Sequence, residues 1–390
     1  MTVAAPARSA LALLAALFVA ALALRPQLVG VGPLLPEIGD DLGVSHAVAG
    51  LLGTIPVLCM GLFAPAAAPL AGRTGVRAAI AACIAAVAVF GILRAVAPGV
   101  ALVLLFTVPV GIGMAMAGAL LPVAVKVRFP ERPVFASGVA TTGLNLGTTI
   151  SSAAAVPAAA AFGGWRGALA AFSLATVALC VGWLVLSRGE WTQRTAQRAS
   201  RLPWDRPVVW AIVAVFGLQS LIFYGITSWL PDAFQEHGWS AGAAGALVAA
   251  FGLAALPGGL VVPWLADRGG SRRLWLGGAS AAVALATLGL AAVPAAGFAW
   301  AALAGAAIGA VFPLCVALCL DVSRGPAEAG AATALVFLGG YVFASIAPIG
   351  LGAVRDATGS FSASLWALFA TALVLLACCI PLTPSRLRPA

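Results

Sequence analysis

Long stretches without any charged side chain are the feature that most constrains this chain. Between Arg273 and Asp321, 47 consecutive residues carry no charge, and shorter uncharged intervals recur along the whole sequence. A helix needs about 20 apolar residues to cross the hydrocarbon core of a bilayer. Only 8% of the residues are charged and 62% are hydrophobic, whereas soluble domains carry about 25% charged residues. The pattern therefore predicts an integral membrane protein built from transmembrane helices.

The positions of the charges divide the chain into twelve predicted spans. The first helix runs from near the N-terminus to Pro36, and the interval after Arg273 holds two spans that separate at "VPAAG" (293–297). Residues 1–24 share the layout of a secretory signal peptide, with Arg8 before an apolar run. Because the apolar run continues past any cleavage position, we predict an uncleaved first helix.

One polar segment, residues 187–207, divides the sequence into two halves of six spans. We predict three parts: an N-terminal six-helix bundle (1–187), a cytoplasmic connector (188–206) and a C-terminal six-helix bundle (207–390).

The basic residues predict the orientation. With the N-terminus in the cytoplasm, 17 of the 21 basic residues fall on the cytoplasmic side. Arg94, Arg166 and Arg355 then lie outside, and Arg25 lies in the membrane. The positive-inside rule favours this arrangement, with both termini of a multi-pass inner-membrane protein in the cytoplasm. The net charge of +9 is then explained by arginines at anionic lipid headgroups, and we predict no binding of nucleic acid. Abundant Ala, Gly and Arg with a single Lys is typical of a GC-rich bacterial genome.

The cysteines give no sign of a disulfide framework or a zinc site, because all of them lie in apolar stretches without a histidine at ligand spacing. They are Cys59, Cys83, Cys180, Cys315, Cys319, Cys378 and Cys379. No catalytic acid, nucleophile pair or metal cluster falls at the predicted membrane centre. The sequence therefore predicts neither an enzyme nor a protein with a cofactor or metal.

The two halves resemble each other at an offset of 195 residues. "LLPEIGDDLGVSHAVAGLL" (34–52) matches "WLPDAFQEHGWSAGAAGAL" (229–247), and "LAGRTGVR" (70–77) matches "LADRGGSR" (265–272). Ser45 and Ser240 occupy equivalent positions, where each is predicted to cap the helix that follows. A six-span unit repeated in parallel is typical of transporters in which two bundles rock around a central site.

The loop in the second half, "GGLVVPWLADRGGSRR" (258–273), resembles the loop signature of the major facilitator superfamily, and "APLAGRTGVR" (68–77) is its counterpart in the first half. The resemblance implies an all-α membrane protein with twelve helices in two six-helix bundles. It also implies that these turns help to hold the bundles in the outward-facing state, although Gly72 stands where the first copy usually has an acid. The predicted gating residues are Arg73, Gly75, Arg77, Asp267, Arg268, Gly270 and Arg272.

Further stretches resemble the cyanate / 2-nitroimidazole transporter family within that superfamily. They are "RPQLVGVGPLLPEI" (25–38), "FGLQSLIFYGITSWLP" (216–231), "GGWRGAL" (163–169), "VFPLCVALCLDVSR" (311–324) and "GGYVFASIAPIGLGAVRDATG" (339–359). The likeness covers most of the chain. Ala23 and Ala119 depart from it, because the family tends to have Asn and a polar residue at these positions.

Arg25 is the most unusual residue in the predicted spans. A charge at the centre of a helix costs about 2.5–3.5 kcal/mol on insertion scales. No Asp or Glu lies inside a predicted span, so Arg25 has no evident internal counter-ion. Its forked donors suit an anion or a strongly dipolar solute. Pro26 is expected to free a backbone carbonyl and break the helix there. In the alternative interpretation, the arginine only binds carbonyls of broken helices.

A few other side chains in the spans are candidates for contact with the solute. They are Gln27, Thr142, Asn145, Gln219, Tyr224, Phe312 and Tyr341, with Phe223 as a further wall residue. The alternative for each polar group is a hydrogen bond between helices. His46 and His237 fall near the predicted outer surface, where we expect solvated side chains.

These observations predict a secondary or facilitative transporter that moves a small anionic or dipolar solute, with cyanate as the leading candidate, by alternating access. An exporter of nitroimidazole-like drugs is the second hypothesis, and a membrane sensor that does not transport its ligand is the third. The short tails and connector disfavour the sensor. The predicted partners are the solute and the lipid bilayer, the chain is predicted to be a monomer, and a proton or a counter-anion stays open as the coupling ion.

Overall fold

A computed structural model describes residues 7–129, 131–188, 202–268, 272–380 and 382. Every regular element among these residues is helical. The helices of the first half are α1 (Ala7–Leu22), α2 (Pro26–Val29), α3 (Leu35–Leu42), α4 (His46–Leu62), α5 (Ala67–Thr74), α6 (Val76–Val96), α7 (Val100–Arg128), α8 (Pro133–Phe162) and α9 (Trp165–Leu186). Those of the second half are α10 (Pro207–Glu236), α11 (Ala241–Arg268), α12 (Arg272–Ala292), α13 (Gly297–Asp321), α14 (Pro326–Ala344), α15 (Ile346–Thr358) and α16 (Ser362–Cys378). Three single turns of 3₁₀ helix lie at Gly32–Leu34, Ala64–Ala66 and Pro294–Ala296.

Helices of membrane-spanning length dominate the described residues. Nine helical segments among these residues, some of them made of consecutive helices, are long and apolar enough to cross a bilayer. The pair His46–Leu62 and Ala64–Thr74, bent by 51°, makes a tenth if it is one span. Helix α16 is shorter but apolar, and the 30 residues of α8 fill the interval predicted for the fifth span. The all-α membrane fold is thus confirmed, while the number of twelve spans stays a prediction.

The chain forms two compact units by its internal contacts. Unit 1 comprises Met1–Val31 and Phe63–Gln197, and unit 2 comprises Gly32–Leu62 and Arg198–Ala390. Residues 189–201 of the predicted connector lie outside the described residues. The predicted domains 1–187, 188–206 and 207–390 are halves of the sequence, and they stay a prediction.

Small residues bring the helices of unit 1 close together. A Cβ on Gly143 of α8 would lie 2.4 Å from the carbonyl oxygen of Phe18 in α1. A Cβ on Gly113 of α7 would lie 2.7 Å from the carbonyl oxygen of Cys83 in α6. Helices in membranes pack by such close backbone contact because lipid supplies no hydrophobic driving force between them.

The same device holds unit 2 together at α11 and α13. A Cβ on Gly258 would lie 1.9 Å from the carbonyl oxygen of Ala306, and one on Gly305 would lie 2.0 Å from that of Phe251. Helix α4 packs on α14 and α15, and α10 packs on α14. Six of the seven cysteines are buried and Cys378 is partly buried, as their apolar surroundings predict.

The internal repeat is visible in the local structure. Gly43 and Gly238, 195 positions apart, both adopt the left-handed conformation, with φ of 61° and 83°. The Oγ of Ser45 accepts the Val48 N–H at 3.4 Å, and the Oγ of Ser240 accepts the Ala243 N–H at 3.3 Å. Both predicted helix caps are therefore confirmed.

Candidate solute-binding site

The first span is broken at Arg25. Helix α1 ends at Leu22 and α2 begins at Pro26, with Arg25 as the residue before it. The Arg25 N–H donates to the Leu22 carbonyl at 3.3 Å, and the Arg25 carbonyl accepts from Leu28 and Val29 at 3.1 and 2.9 Å. A proline lacks the N–H that a continuous helix needs, and its ring collides with the preceding turn. The predicted break is confirmed.

Helix α8 passes close to this break. A Cβ on Gly147 would lie 3.0 Å from the Arg25 Cβ and 2.9 Å from the Leu22 carbonyl oxygen. Only a residue without a side chain allows this approach. Arg25 itself is partly buried. The break therefore holds a partly buried guanidinium beside the segment of α8 that carries Asn145.

A second arginine in unit 1 is buried deeper. Arg94, in the last turn of α6, has no solvent exposure. Its Nη2 donates to the backbone carbonyl of Gln27 at 3.0 Å and to the Gln27 Oε1 at 2.6 Å. The assignment of Arg94 to the outer side stays a prediction, whereas its complete burial was not predicted. Position near the end of an apolar stretch is no guide to exposure when a distant helix supplies the partner.

The amide of Gln27 completes what we call the arginine network, formed by Gln27, Gly91, Arg94, Leu169 and Ser173. The Gln27 Nε2 donates to the Ser173 Oγ at 2.8 Å and to the Leu169 carbonyl at 3.3 Å. The network joins α2, α6 and α9. All the hydrogen-bonding capacity of the amide nitrogen is used internally, which favours the helix-to-helix alternative for Gln27. Its contact with solute stays a prediction.

Arg94 keeps unused donors inside unit 1. Its Nε and Nη1 are buried and have no hydrogen-bond partner among the described residues. Buried polar groups nearly always find a partner, so an exception marks a site that water or a solute reaches, or a site of strain. The sequence contained no signal of this burial, because the pattern along α6 is the same for an arginine that faces water.

The predicted residues of α8 lie near one another on that helix. Both Thr142 and Asn145 are partly buried. The Thr142 hydroxyl donates to the Gly138 carbonyl at 2.9 Å, which leaves its oxygen free to accept a further hydrogen bond. Their predicted contacts with solute remain predictions.

Unit 2 contains a group of packed rings that we call the aromatic cluster. Phe216 lies 5.0 Å from Phe337, 5.2 Å from Tyr341 and 5.6 Å from Phe312 between ring centroids. Tyr341 is also 6.4 Å from Tyr224. These distances are typical of aromatic pairs in protein interiors. The structure thus brings together three predicted site residues, Tyr224, Phe312 and Tyr341.

Polar side chains in the middle of α10 have partners within unit 2. Gln219 is buried and its Nε2 donates to the Ser220 Oγ at 2.6 Å. The hydroxyl of Tyr224 lies 3.5 Å from the Met60 sulfur, and the ring of Phe223 lies 5.0 Å from that of Tyr224. The predicted roles of these residues stay predictions.

The predicted gating turns are described in part. Gly75 has a φ of 82°, as a tight turn requires. Arg77 ties α6 to α9, because its Nη2 donates to the Leu184 carbonyl at 2.6 Å and its Nε to the Ser187 Oγ at 3.0 Å. Arg73 is exposed in the last turn of α5.

The second turn is described only at its edges. The Arg268 guanidinium stacks 3.4 Å from the Trp264 ring centroid, and Arg272 forms an ion pair with Asp321. Gly270 and the side chain of Asp267 lie outside the described residues. The gating role of both turns stays a prediction.

One expectation about titratable groups is wrong and another is untested. Asp232, the predicted end of the seventh span, lies inside α10 and only 8% of it is exposed; the absence of carboxylates from the membrane-spanning part stays a prediction. His46 is not simply solvated, because its ring contacts Asp356 at 2.8 Å and Asp232 at 3.7 Å. Both contacts join residues far apart in the sequence, which charge-free intervals cannot reveal.

The fold is that of an all-α integral membrane protein whose first span is broken at Arg25. The sequence profile of the Major Facilitator Superfamily matches residues 10–348 and 233–389. The chain therefore belongs to this superfamily.

Three curated relatives are similar over nearly the whole chain. The cyanate transport protein CynX of Escherichia coli (strain K12) is 30% identical over 362 residues, 90% of this chain and 91% of that protein. The 2-nitroimidazole transporter of the same organism is 28% identical over 379 residues, 94% of each chain. An uncharacterized transporter, YycB of Bacillus subtilis (strain 168), is 28% identical over 359 residues, 90% of this chain and 88% of that protein. These matches confirm the resemblance to the cyanate / 2-nitroimidazole transporters.

Solved structures share the fold at low sequence identity. The nucleoside transporter NupG superposes with a TM-score of 0.77 at 13% identity, over 96% of this chain and 99% of that chain. A bacterial homologue of the human lysosomal transporter Spinster gives a TM-score of 0.74 at 16% identity, over 97% of this chain and 95% of that chain.

Proposed function

We propose that this protein transports a small anionic or strongly dipolar solute of the cyanate type across the bacterial inner membrane by alternating access, and that Arg25 binds the charge of the solute. The observation that carries the proposal is the break between α1 and α2, which places Arg25 in the middle of the first span. Discontinuous helices are the usual place for binding sites in secondary transporters.

The chemistry of the guanidinium supports an anionic solute. Its planar fork presents several donors at once, and hydrogen bonds to a charged group are worth about 1.5–3 kcal/mol. A charge at this depth is costly without a function. The close approach of Gly147 on α8 fixes the stem of Arg25, so that the head needs little further ordering when a solute binds.

The names of two relatives agree with this chemistry. One is called a cyanate transport protein and another a 2-nitroimidazole transporter. Cyanate is an anion, and a nitro group carries two electron-rich oxygens, so both can accept hydrogen bonds from a guanidinium. Arg25 therefore does not distinguish between them.

Export of nitroimidazole-like compounds is the second candidate function. The observation that favours it is the aromatic cluster, in which Phe312 is 38% exposed and joins the rings of Phe216 and Phe337. A planar heterocycle can stack on such rings, whereas a triatomic anion gains little from them. The direction of net flux distinguishes the two functions.

Uptake of labelled cyanate into proteoliposomes tests the proposal. We expect saturable uptake by the wild type, and a loss of apparent affinity of about 10- to 150-fold in Arg25→Ala, which corresponds to about 1.5–3 kcal/mol. Arg25→Lys should keep part of the affinity, because it keeps the charge and loses the fork. Arg166→Ala is the matched control, since Arg166 is also a partly buried arginine of unit 1 and is not a predicted solute contact.

Each outcome has a distinct meaning. If folded Arg25→Ala transports cyanate as well as the wild type, Arg25 is structural and the proposed site is wrong. If the wild type does not take up cyanate, the solute is wrong, and efflux of 2-nitroimidazole from loaded vesicles is measured next with the same variants. Accessibility of cysteines introduced at the two termini tests the predicted cytoplasmic location of both ends.

A further inference from the structure

The chain has two histidines, and the structure gives them different surroundings. The Nδ1 of His237 lies 2.7 Å from the Ala233 carbonyl, one turn back on its own helix. His46 starts α4 and contacts carboxylates of two other helices in unit 2. Only His46 is therefore flanked by acids.

Both ring nitrogens of His46 face a carboxylate oxygen. Nδ1 lies 2.8 Å from the Asp356 Oδ1, and Nε2 lies 3.7 Å from the Asp232 Oδ2. A neutral imidazole has one donor nitrogen and one acceptor nitrogen, whereas the imidazolium has two donors. The arrangement with an acid at each nitrogen is therefore complementary to the protonated ring.

The two carboxylates differ in how they are held. Asp356 caps the start of α4, because it accepts the Ala47 N–H at 2.8 Å and the His46 N–H at 3.1 Å. Asp232 is only 8% exposed, and its Oδ2 is buried with no hydrogen-bond partner among the described residues. Asp232 thus depends on the charge of His46, since a buried carboxylate without a partner is strongly disfavoured.

The remaining charged groups nearby do not replace His46. Asp40 of α3, Glu236 of α10 and Arg355 of α15 are the other charges that act on Asp232. Arg355 is committed to Glu236, with Nη2 and Oε1 3.0 Å apart, and Glu236 also accepts the Phe361 N–H at 2.8 Å. Arg355 and Glu236 neutralise each other. The carboxylates of Asp40, Asp232 and Asp356 therefore give this region an excess of negative charge, and a proton on His46 reduces it.

Aromatic rings close the site on two sides. The imidazole lies 5.7 Å from the Trp229 ring and 5.5 Å from the Phe361 ring between centroids. They reduce the access of water to the ring, and 30% of the His46 side chain stays exposed. Protons can therefore exchange with solvent while the electrostatic contacts stay strong.

We propose that His46, Asp232 and Asp356 form a proton-binding site, here called the histidine clasp, whose bound proton holds α4 against α10 and α15. Histidine is the side chain that ordinarily changes charge between pH 5 and 8. When the ring loses its proton to water, Asp232 loses its nearest counter-charge and the contact of α4 with α10 weakens, while Asp356 still accepts the first N–H groups of α4. This inference rests on the proposed transport function. It identifies the proton as the coupling ion, which the sequence left open.

Proton binding is measured by NMR of the full-length protein, labelled at histidine and reconstituted in lipid nanodiscs. His237 is the internal reference. We expect Asp232→Asn to weaken proton binding at His46 by about tenfold or more, because one of its two counter-charges is gone. If Asp232→Asn does not fold, Asp356→Asn is measured instead, with the same expected weakening of proton binding.

The control is Glu236→Gln. Glu236 lies one turn along α10 and pairs with Arg355, not with His46, so its loss should change the proton affinity of His46 by less than about threefold. Equal proton affinity of His46 in the wild type and in a folded Asp232→Asn or Asp356→Asn variant overturns the proposal.

Attachment of α4 is measured by hydrogen exchange at matched pH in the wild type and the variants. We expect exchange of the amides in residues 46–52 to be faster in His46→Gln than in the wild type, and unchanged in His237→Gln. Unchanged protection in His46→Gln contradicts the clasp. In proteoliposomes that take up cyanate, the stimulation of uptake by acid should disappear in His46→Gln and persist in His237→Gln. If the wild type moves neither cyanate nor 2-nitroimidazole, the proposed function fails, and the titration and exchange results alone decide the clasp.

Discussion

The first and seventh spans occupy equivalent places in the internal repeat, yet one is broken and the other is continuous. The first consists of α1, α2 and α3 with interruptions at Arg25 and before Leu35, while α10 runs without a break from Pro207 to Glu236. At the offset of 195, Pro26 and Pro33 of the first span correspond to Leu221 and Ser228 of α10. Proline by itself does not decide the outcome, because α10 contains Pro231. The first span has two prolines within eight residues, and Gly30 and Gly32 lie between them. This combination is enough to interrupt the helix.

The difference shows where the two copies have diverged. Their ends keep the same devices, with a left-handed glycine at Gly43 and Gly238 and a serine cap after each. Their centres differ, since the break in the first span carries a partly buried arginine, whereas α10 contributes Phe216 and Tyr224 to packed rings. A duplicated unit can thus keep its surface turns and specialise only its middle.

Loss of Gln27 should have the largest effect on stability. Gln27→Leu removes the Oε1 acceptor of Arg94 and leaves it only the Gln27 backbone carbonyl, and leaving a buried charged donor unsatisfied costs about 3 kcal/mol or more. The measurement is unfolding of the purified protein in detergent. Ile222→Val, at the equivalent place in α10, should cost only about 0.5–1.5 kcal/mol. A double change to Leu at Gln27 and Arg94 should be more stable than Gln27→Leu alone. Equal stability of Gln27→Leu and the wild type would show that the arginine network contributes nothing.

A proline in the continuous span is expected to have the next largest effect. Leu221→Pro gives α10 the residue found at Pro26 of the first span, and it should cost about 3 kcal/mol by removing a helical hydrogen bond and by steric conflict. Leu221→Ala controls for the lost side chain in the same unfolding assay. A folded Leu221→Pro protein of wild-type stability would mean that the sequence difference between the spans does not explain why only one is broken.

A methyl group placed in the arginine network should destabilise unit 1 to a smaller extent. A Cβ on Gly91 would lie 2.6 Å from the Ser173 Oγ and 3.0 Å from the Gln27 Cδ, and such overpacking costs about 1–3 kcal/mol. Gly118→Ala on α7 is the matched control, because nothing lies within 4 Å of its added Cβ. It should be neutral or stabilising by up to about 1 kcal/mol. The thermal unfolding temperature distinguishes the two, and the same shift for both would argue against the network geometry.

The smallest expected effect tests the similarity of the two copies. Ser45→Ala and Ser240→Ala each remove one helix cap, and each should cost about 1 kcal/mol. The two losses should agree within about 0.5 kcal/mol and add in the double variant, because each serine accepts from an amide of its own helix. A large effect at one serine alone would show that the copies differ at their ends as well as at their centres.

The sequence predicted those features that depend on neighbouring residues. Pro26 ends α1 because its missing N–H is a local property. Ser45 and Ser240 cap their helices through contacts only three residues away. The charge-free intervals identified helices because the bilayer demands about 20 apolar residues in a row. The candidate solute contacts were selected from the sequence because polar side chains are scarce in such helices, and they stay predictions.

Only the tertiary structure decided which charges are buried and with what partners. Arg94 meets Gln27 across 67 positions of sequence, and His46 meets Asp356 across 310. A charge at the end of an apolar stretch can face water or a partner on another helix, and the pattern along one helix is the same in both cases. By itself, therefore, the sequence determined the membrane-spanning helices, their caps and the break at Arg25. The packing of distant helices decided the arginine network and the histidine clasp, because the free energy of a buried charge depends on the groups that surround it in space.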